Sequence, residues 1–304
     1  MDLIKFKKVK IKKYTFKKNP KRPKRKIKIK TIIYLIGLIF SFYLFLLIGA
    51  QLSRYIIKKN PQRKNRKNNN KKLNITNFTT YSLGSEDFVL YCIFYDIDNG
   101  FYIDVGANNP NIISDTKAFY LKGWHGINIE PLPDMFKLLL KYRSRDINLN
   151  IGAGEKEGVM PLNVNGFGST FNKKYFGNNR ATIDIKIYPM SEICKKYVPK
   201  DEDIQFCKID VEGYEKNVLL GYDFTNYRPK VFYLESTAPF RPDIPTHQEW
   251  EYILLQNGYA FGFQLSINRF YYDTKVDYIG KRFLNLDKYV NEYKEIQQRK
   301  KRKI

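Results

Sequence analysis

The chain has 304 residues and a formal net charge of +24 at pH 7, with 54 Lys and Arg against 30 Asp and Glu. Residues 1–72 carry 24 of the basic side chains and one acid, whereas residues 73–304 carry 30 basic and 29 acidic side chains. The positive charge therefore belongs to the N-terminal segment, and the nearly neutral remainder argues against a nucleic-acid-binding domain. Cys92, Cys194 and Cys207 show no C-x-x-C spacing, which excludes a disulfide framework and a cysteine-based zinc site.

Residues 31–52 form an apolar segment of 22 positions without a charged side chain. At a rise of about 1.5 Å per residue, a helix of this length crosses a hydrocarbon core of about 30 Å. We therefore predict a transmembrane helix at 31–52, preceded by a basic cytosolic segment at 1–30 that is too long for a cleavable signal peptide. Residues 53–80 are rich in Lys, Arg and Asn and predict a stem without a core of its own.

The flanking charges favour a cytosolic N-terminus. Residues 16–30 contain nine Lys or Arg and residues 53–67 contain seven, and the more positive flank usually stays in the cytosol. Two N-x-T sequences, at Asn74 and Asn77, are acceptor sites for N-glycosylation in a lumenal stem. The sequence thus predicts a single-pass type II membrane glycoprotein whose folded domain lies in the lumen of the secretory pathway.

Strands and helices alternate between residues 81 and 280, which predicts one α/β domain with a mostly parallel sheet and helices on both faces. The predicted strands are 101–105, 126–129, 147–151, 204–211 and 230–234, and the predicted helices are 114–122, 133–142, 190–197 and 215–220. Residues 281–304 are expected to form a weakly amphipathic helix and a basic tail.

Two further pairs of strands are expected in this domain. Residues 159–164 and 182–188 alternate apolar and polar side chains, which predicts a hairpin that covers the site and recognises the acceptor. Residues 259–265 and 269–272 predict an antiparallel hairpin that closes the central sheet.

A strand, a glycine turn, a helix and a second strand occupy residues 101–131. Asp104 stands near the end of the first strand, Gly106 allows a sharp turn where a ligand approaches, and Glu130 ends the second strand. A carboxylate in the last position can hold both hydroxyls of a ribose. Because the turn lacks the G-x-G-x-x-G spacing of a pyrophosphate cradle, S-adenosylmethionine, an adenosine cofactor without phosphate, fits these residues best.

Four short segments occur in order along the chain: Gly84–Asp87, Asp104–Asn108, Gly123–Pro131 and Lys208–Glu215. Together they resemble the FkbM-type methyltransferases over about residues 81–273. The resemblance implies a class I Rossmann-like methyltransferase fold and S-adenosylmethionine-dependent O-methylation. One difference is Pro110, where many methyltransferases carry another glycine, so the resemblance leaves the course of this loop open.

Five residues near the carboxyl ends of strands are expected to bind the cofactor. Asp104, Gly106 and Asn108 would line its methionine portion, Glu130 would take the ribose, and Asn150 would border the adenine. Each of them could instead be an ordinary turn or helix-capping residue.

Asp210 and Glu212 are the expected catalytic residues. They are two positions apart at the end of a strand, so they leave it on the same face, next to Gly213. Methyl transfer depends mainly on alignment, while a hydroxyl acceptor also benefits from a base, a role we expect for Asp210. The pair could instead bind a divalent metal together with Glu235 or cap the following helix. We assign no metal ligand from the sequence.

The expected function is therefore O-methylation of a hydroxyl, on a glycan or glycolipid in view of the predicted anchor. A type II glycosyltransferase that uses a nucleotide sugar is one alternative, because the D-x-D triplets at 96–98 and 201–203 are typical of metal-dependent sugar transfer. A membrane-tethered domain that has lost its cofactor is the other. The intact set of strand-end acids favours an enzyme over this second alternative.

Overall fold

The computed structural model describes residues 71–176 and 181–302 of the chain. The predicted basic segment 1–30, the predicted transmembrane helix 31–52 and residues 53–70 of the predicted stem lie outside these ranges. Within the described ranges, no helix is both long enough and apolar enough to cross a membrane.

Seven strands, numbered in chain order, form the central sheet: β1 Phe101–Val105, β2 His125–Ile129, β3 Ile147–Leu149, β7 Ile204–Ile209, β8 Val231–Glu235, β11 Tyr259–Leu265 and β12 Asn268–Asp273. Their spatial order is β11-β12-β8-β7-β1-β2-β3. The strands from β3 to β8 in this order are parallel, whereas β12 is antiparallel to both β8 and β11. The predicted α/β fold, with a mostly parallel sheet and an antiparallel hairpin at its edge, is confirmed.

A smaller three-stranded sheet contains β4 Gly152–Gly154, β5 Gly158–Asn163 and β6 Thr182–Pro189. Strand β6 pairs in parallel with β4 and antiparallel with β5, so the hairpin predicted in this region is confirmed. Two short strands, β9 Thr237–Ala238 and β10 Arg241–Pro245, form a separate antiparallel pair.

Helices cover both faces of the central sheet: α1 Glu86–Phe94, α2 Lys117–Leu121, α3 Pro133–Tyr142, α4 Met190–Tyr197, α5 Glu215–Leu220, α6 Glu251–Gln256, α7 Asp277–Phe283 and α8 Leu286–Lys301. Apolar residues of α1, α2, α7 and α8 pack in one core, and those of α4, α5 and α6 pack in the other. This cover explains why β1, β7 and β8 are buried along their whole length.

The packed core extends beyond residues 81 and 280, the predicted limits of the α/β domain. Phe78, in the predicted stem, is buried and lies against Phe88 of α1 with the ring centroids 5.6 Å apart. Tyr293 of α8 stacks on Phe88 with a centroid distance of 3.9 Å. The C-terminal helix is therefore part of the folded core, because it covers the apolar face of α1.

Gly106 follows β1 with a φ of +79°, in the left-handed region that favours glycine. A Cβ atom at this position would overlap the carbonyl oxygen of Asp210, which follows β7. The missing side chain therefore lets the ends of β1 and β7 approach each other. The close approach of the Asp210 backbone is a second reason for glycine at this position, and the ligand approach predicted there stays a prediction.

Gly106→Ala is expected to lower the free energy of unfolding by more than about 2 kcal/mol, because backbone strain adds to the overlap with Asp210. Gly158→Ala is the matched control, since a Cβ there meets nothing within 4 Å, and it should change stability by less than about 1 kcal/mol. Urea denaturation followed by circular dichroism measures both values. Equal stabilities of the two variants would contradict the close approach of the strands.

Candidate active site

A pocket of about 290 Å³ lies at the carboxyl ends of β1, β2, β7 and β8. From β1 the chain proceeds to β2 and β3 on one side, whereas β7 and β8 lie on the other side. The strand order thus reverses between β1 and β7, and open α/β sheets bind their ligands at such a switch point. The turn between β11 and β12, at 266–268, and strand β4 complete the walls.

The loop after β1 is tied to the end of β2. The backbone N–H groups of Gly106 and Ala107 donate to the carbonyl oxygen of Ile129 at 3.0 and 3.1 Å. Asn108 has a φ of +48°, a conformation that asparagine tolerates better than most residues. Gly106 and Asn108, two of the predicted cofactor residues, both line the pocket.

Glu130 lines the pocket but is only 2% exposed. Its carboxylate oxygens accept hydrogen bonds from the backbone N–H groups of Asn108 at 2.6 Å and Leu132 at 2.7 Å. Burial raises the pKa of Glu130 to about 7, and these two bonds oppose the shift. Since a carboxylate can accept about four hydrogen bonds, each oxygen retains capacity for another donor.

Asp104 lies behind the pocket rather than in its lining. It is buried, its Oδ2 accepts a hydrogen bond from Thr116 Oγ1 at 2.9 Å, and its Oδ1 lies 3.3 Å from Lys208 Nζ. The role of Asp104 in this arrangement is therefore to hold Lys208, and it reaches the pocket only through that side chain.

Asn150 also makes its contacts outside the lining. Its side-chain amide donates to the carbonyl oxygens of Glu130 and Pro131, both at 2.9 Å, and so braces the turn after β2. Gly152 and Ala153 of β4 line the pocket in this region. The part of the pocket where we expected Asn150 to border the adenine is thus lined by small residues, which leave room for a flat ligand.

Lys208 is a site residue that the strand pattern does not reveal. Its Nζ donates to the carbonyl oxygen of Gly106 at 2.8 Å and lies 3.4 Å from Asp210 Oδ2, in addition to its contact with Asp104. Burial opposes the charge, but Asp104 and Asp210 outweigh it and raise the pKa of Lys208 above its ordinary value. The sequence feature that could have identified it is a lysine within an otherwise apolar strand, because a buried cation requires acidic partners.

Three carboxylates, of Asp210, Glu212 and Glu235, meet at the ends of β7 and β8. One oxygen of each lies within 4.8 Å of the others. Glu235 is 6% exposed, and its Oε2 has no hydrogen-bond partner among the described residues. Burial and then the charge of Asp210 raise the pKa of Glu212 to about 8 and that of Glu235 to about 10. The predicted catalytic pair therefore lines the pocket in a region of concentrated negative charge.

The backbone before α5 is held by a different acid. The Glu215 carboxylate accepts hydrogen bonds from the N–H groups of Val211 and Gly213, both at 3.1 Å. It thus fills the capping role considered for Asp210 and Glu212. Glu212 has a φ of +56°, a conformation that is costly for most residues and that occurs preferentially at functional sites.

A second acidic pair lines the pocket from the side of α1 and the loop before α2. Glu86 accepts hydrogen bonds from the Gly84 N–H at 2.9 Å and from Asn268 Nδ2 at 3.0 Å. Asp115 accepts one from the Tyr233 hydroxyl at 2.5 Å. Burial and the charge of Asp115 raise the pKa of Glu86 to about 7. The sequence offers little signal for this pair, because both acids are also common near helix starts.

The D-x-D triplets lie at the other end of the sheet. Asp96 pairs with Arg282 at 2.7 Å, and Asp203 pairs with Lys230 at 2.9 Å. Both precede the amino ends of their strands, whereas the pocket lies at the carboxyl ends. These two aspartates therefore form structural ion pairs away from the pocket, which weakens the glycosyltransferase alternative.

Two comparisons with known proteins give a match, and one gives none. The family model of the methyltransferase FkbM domain matches residues 104–261. A crystal structure of methyltransferase FkbM from Methylobacillus flagellatus KT is similar at 19% sequence identity with a TM-score of 0.38, over 58% of this chain and 44% of that chain. A search of curated proteins gives no significant match.

The matched range begins at Asp104 near the end of β1 and ends in β11. It contains the glycine turn, Glu130 and the acids at the ends of β7 and β8, and it spans more than half of the chain. This protein belongs to the FkbM methyltransferase domain family.

Proposed function

We propose that this protein is an S-adenosylmethionine-dependent O-methyltransferase with a class I Rossmann-like fold. The observation that carries the proposal is the position of Glu130, a buried carboxylate at the end of β2, beside the glycine turn and at the switch point of the sheet. Membership of the family supports methyltransferase activity. The antiparallel β12 between β8 and β11 supports the class I assignment.

The residues of the pocket fit such a cofactor. Glu130 retains acceptor capacity for ribose hydroxyls, and Gly152 and Ala153 offer a small apolar surface for an adenine ring. Asn108 and Asp210 supply an amide and a carboxylate for the charged methionine end. The volume of about 290 Å³ is close to the lower end of the range of roughly 300–1,000 Å³ for small-molecule sites.

When bound, the cofactor supplies a methyl group on a sulfonium, and the acceptor oxygen bonds to that carbon as the sulfur–carbon bond breaks. The chain aligns the acceptor and takes up its hydroxyl proton. We assign the proton to the Asp210 and Glu212 carboxylates, the second of which has a pKa raised by burial to about 8, a value suited to a base near neutral pH. Lys208 fixes the position of Asp210.

The proposed acceptor is a hydroxyl of a glycan or glycolipid. The predicted signal anchor and the two sequons support an acceptor of the secretory pathway. The pocket lining includes Leu83, Ile113 and Phe167, which are 82%, 42% and 54% exposed. An apolar mouth above an acidic floor suits a molecule that combines an apolar part with hydroxyl groups.

The first test is calorimetric titration of the purified full-length chain with S-adenosylmethionine and, separately, with a uridine diphosphate sugar. Saturable binding of S-adenosylmethionine alone is expected, because the pocket has a ribose-binding acid and no pyrophosphate cradle. Heat released only with the nucleotide sugar would overturn the proposal.

Glu130→Gln is expected to weaken S-adenosylmethionine binding at least tenfold, or about 1.4 kcal/mol. The amide replaces one acceptor oxygen with a donor, which opposes the backbone N–H groups and removes a partner of the ribose. Glu157→Gln, an exposed position outside the pocket lining, is the control with the same change of charge. Similar affinities of both variants and the native chain would show that the ribose is held elsewhere.

The affinity of the native chain for S-adenosylmethionine, relative to that of Glu130→Gln, should increase between pH 6 and pH 8. Burial raises the pKa of Glu130 to about 7, so the carboxylate that accepts hydrogen bonds predominates only above that pH. Calorimetry of both proteins across this range gives the affinity ratio, in which titration of the ligand itself cancels. A ratio independent of pH would contradict a titrating Glu130 at the ribose.

We also propose a lumenal orientation, which a mobility shift can test. Asn74 and Asn77 are exposed and therefore accessible for glycosylation. Expression in a eukaryotic cell should give a protein whose electrophoretic mobility increases after N-glycan removal, and Asn74→Gln with Asn77→Gln should abolish this change. Identical mobility of the native chain before and after treatment would indicate that this segment is not in the lumen.

A further inference from the structure

The carboxylates of Asp210, Glu212 and Glu235 have the spacing of ligands around one ion. One oxygen from each lies within 4.8 Å of the others. Oxygens bound to the same hard cation at about 2.1–2.5 Å lie at most roughly 4–5 Å apart. Side chains from two adjacent strand ends therefore place three oxygens at distances that a single cation can bridge.

Glu235 provides an independent sign of a missing partner. Its side chain is 6% exposed and lines the pocket, yet Oε2 has no hydrogen-bond partner among the described residues. A buried carboxylate oxygen without a partner is costly, because it has lost its hydration without replacement. The two other buried acids next to the glycine turns, Glu130 and Glu215, each accept two backbone N–H groups instead.

The local negative charge also favours binding of a divalent cation. Lys208 is shared between Asp104 at 3.3 Å and Asp210 at 3.4 Å. Within residues 71–176 and 181–302, neither Glu212 nor Glu235 forms a salt bridge. Ionised, they carry two negative charges, and in the part of the chain that the structure describes the charge of Lys208 acts on them only from beyond salt-bridge distance.

We propose that Asp210, Glu212 and Glu235 bind a divalent, oxygen-preferring cation of the Mg²⁺ or Mn²⁺ type. All three ligands are carboxylates, which hard cations prefer and which offer no sulfur or imidazole for zinc. The sequence left this set of ligands open as an alternative and assigned no metal ligand; the geometry of the three carboxylates now favours it.

The cation would keep open positions toward the pocket, because the Asp210 side chain is 38% exposed and three carboxylates leave coordination sites unfilled. An acceptor hydroxyl or adjacent pair of hydroxyls would occupy them, and the cation would lower the pKa of the bound hydroxyl. This role in acceptor binding rests on the proposed methyltransferase function, whereas the cation site itself does not.

The test is titration of the full-length chain with Mn²⁺. Binding is monitored through the electron paramagnetic resonance signal of the unbound ion. One Mn²⁺ per chain is expected, with at least tenfold weaker binding in Glu235→Gln. Glu86→Gln is the matched control, since it removes an acid of the same pocket outside the three ligands, and it should bind Mn²⁺ within about threefold of the native chain. Absence of binding to the native chain, or equal binding by native chain and Glu235→Gln, would overturn the cation site.

Thermal denaturation shows whether Glu235→Gln remains folded. Without Mn²⁺ the variant should be about as stable as the native chain, because an amide, like the buried Glu235 carboxyl with its raised pKa, adds no charge beside Asp210 and Glu212. Mn²⁺ should raise the Tm of the native chain and of Glu86→Gln but not that of Glu235→Gln; an equal rise in all three would also overturn the site.

Calorimetry with S-adenosylmethionine separates the two proposals. Cofactor binding without Mn²⁺ binding would support the proposed function and overturn the cation site, and Mn²⁺ binding without cofactor binding would do the reverse.

Discussion

The active-site region depends on the buried ammonium group of Lys208, which joins the ends of β1 and β7. Its three oxygen partners are the Gly106 carbonyl and the carboxylates of Asp104 and Asp210. Burial of an ammonium is favourable only with such partners, so this lysine fixes two acids at the point where the strand order reverses. The contact also requires Gly106, whose missing side chain leaves space for the Asp210 backbone. The acidic floor of the pocket is thus a consequence of how two neighbouring strands are joined.

The carboxylates around this floor divide into two groups by their partners. Glu130 and Glu215 each accept two backbone N–H groups and so fix the loops after β2 and β7 before any ligand arrives. Glu212 and Glu235 lack comparable contacts, and burial followed by the charge of Asp210 raises their pKa values. The first group gives the pocket a fixed shape, which lowers the entropic cost of binding. The second group holds the charge that is available to an acceptor proton or a cation.

The sheet was predictable because its strands carry local signals, whereas much of the site was not. Strand β1 reads as a short apolar run beside a glycine, and helix α3 begins at a proline, so their limits follow from neighbouring residues. Lys208 acquires its role only from the register of β1 and β7, which pairs Asp104 with Lys208 across about a hundred residues. Asn150 was expected beside the adenine because it stands near the end of the third strand; β3 ends at Leu149, and the Asn150 amide donates to the carbonyl oxygen of Glu130, a contact that sequence spacing does not reveal. Such long-range pairings leave no periodic trace in the sequence.

The most direct test of the proposed cofactor site is a crystal structure of this protein with S-adenosylhomocysteine, the demethylated form of the proposed cofactor. We expect the ribose at Glu130, with both hydroxyls within hydrogen-bonding distance of the carboxylate, the adenine against Gly152 and Ala153, and the sulfur facing the acids after β7. Density for the ligand away from Glu130, or a Glu130 carboxylate that contacts only the backbone in the complex, would contradict it.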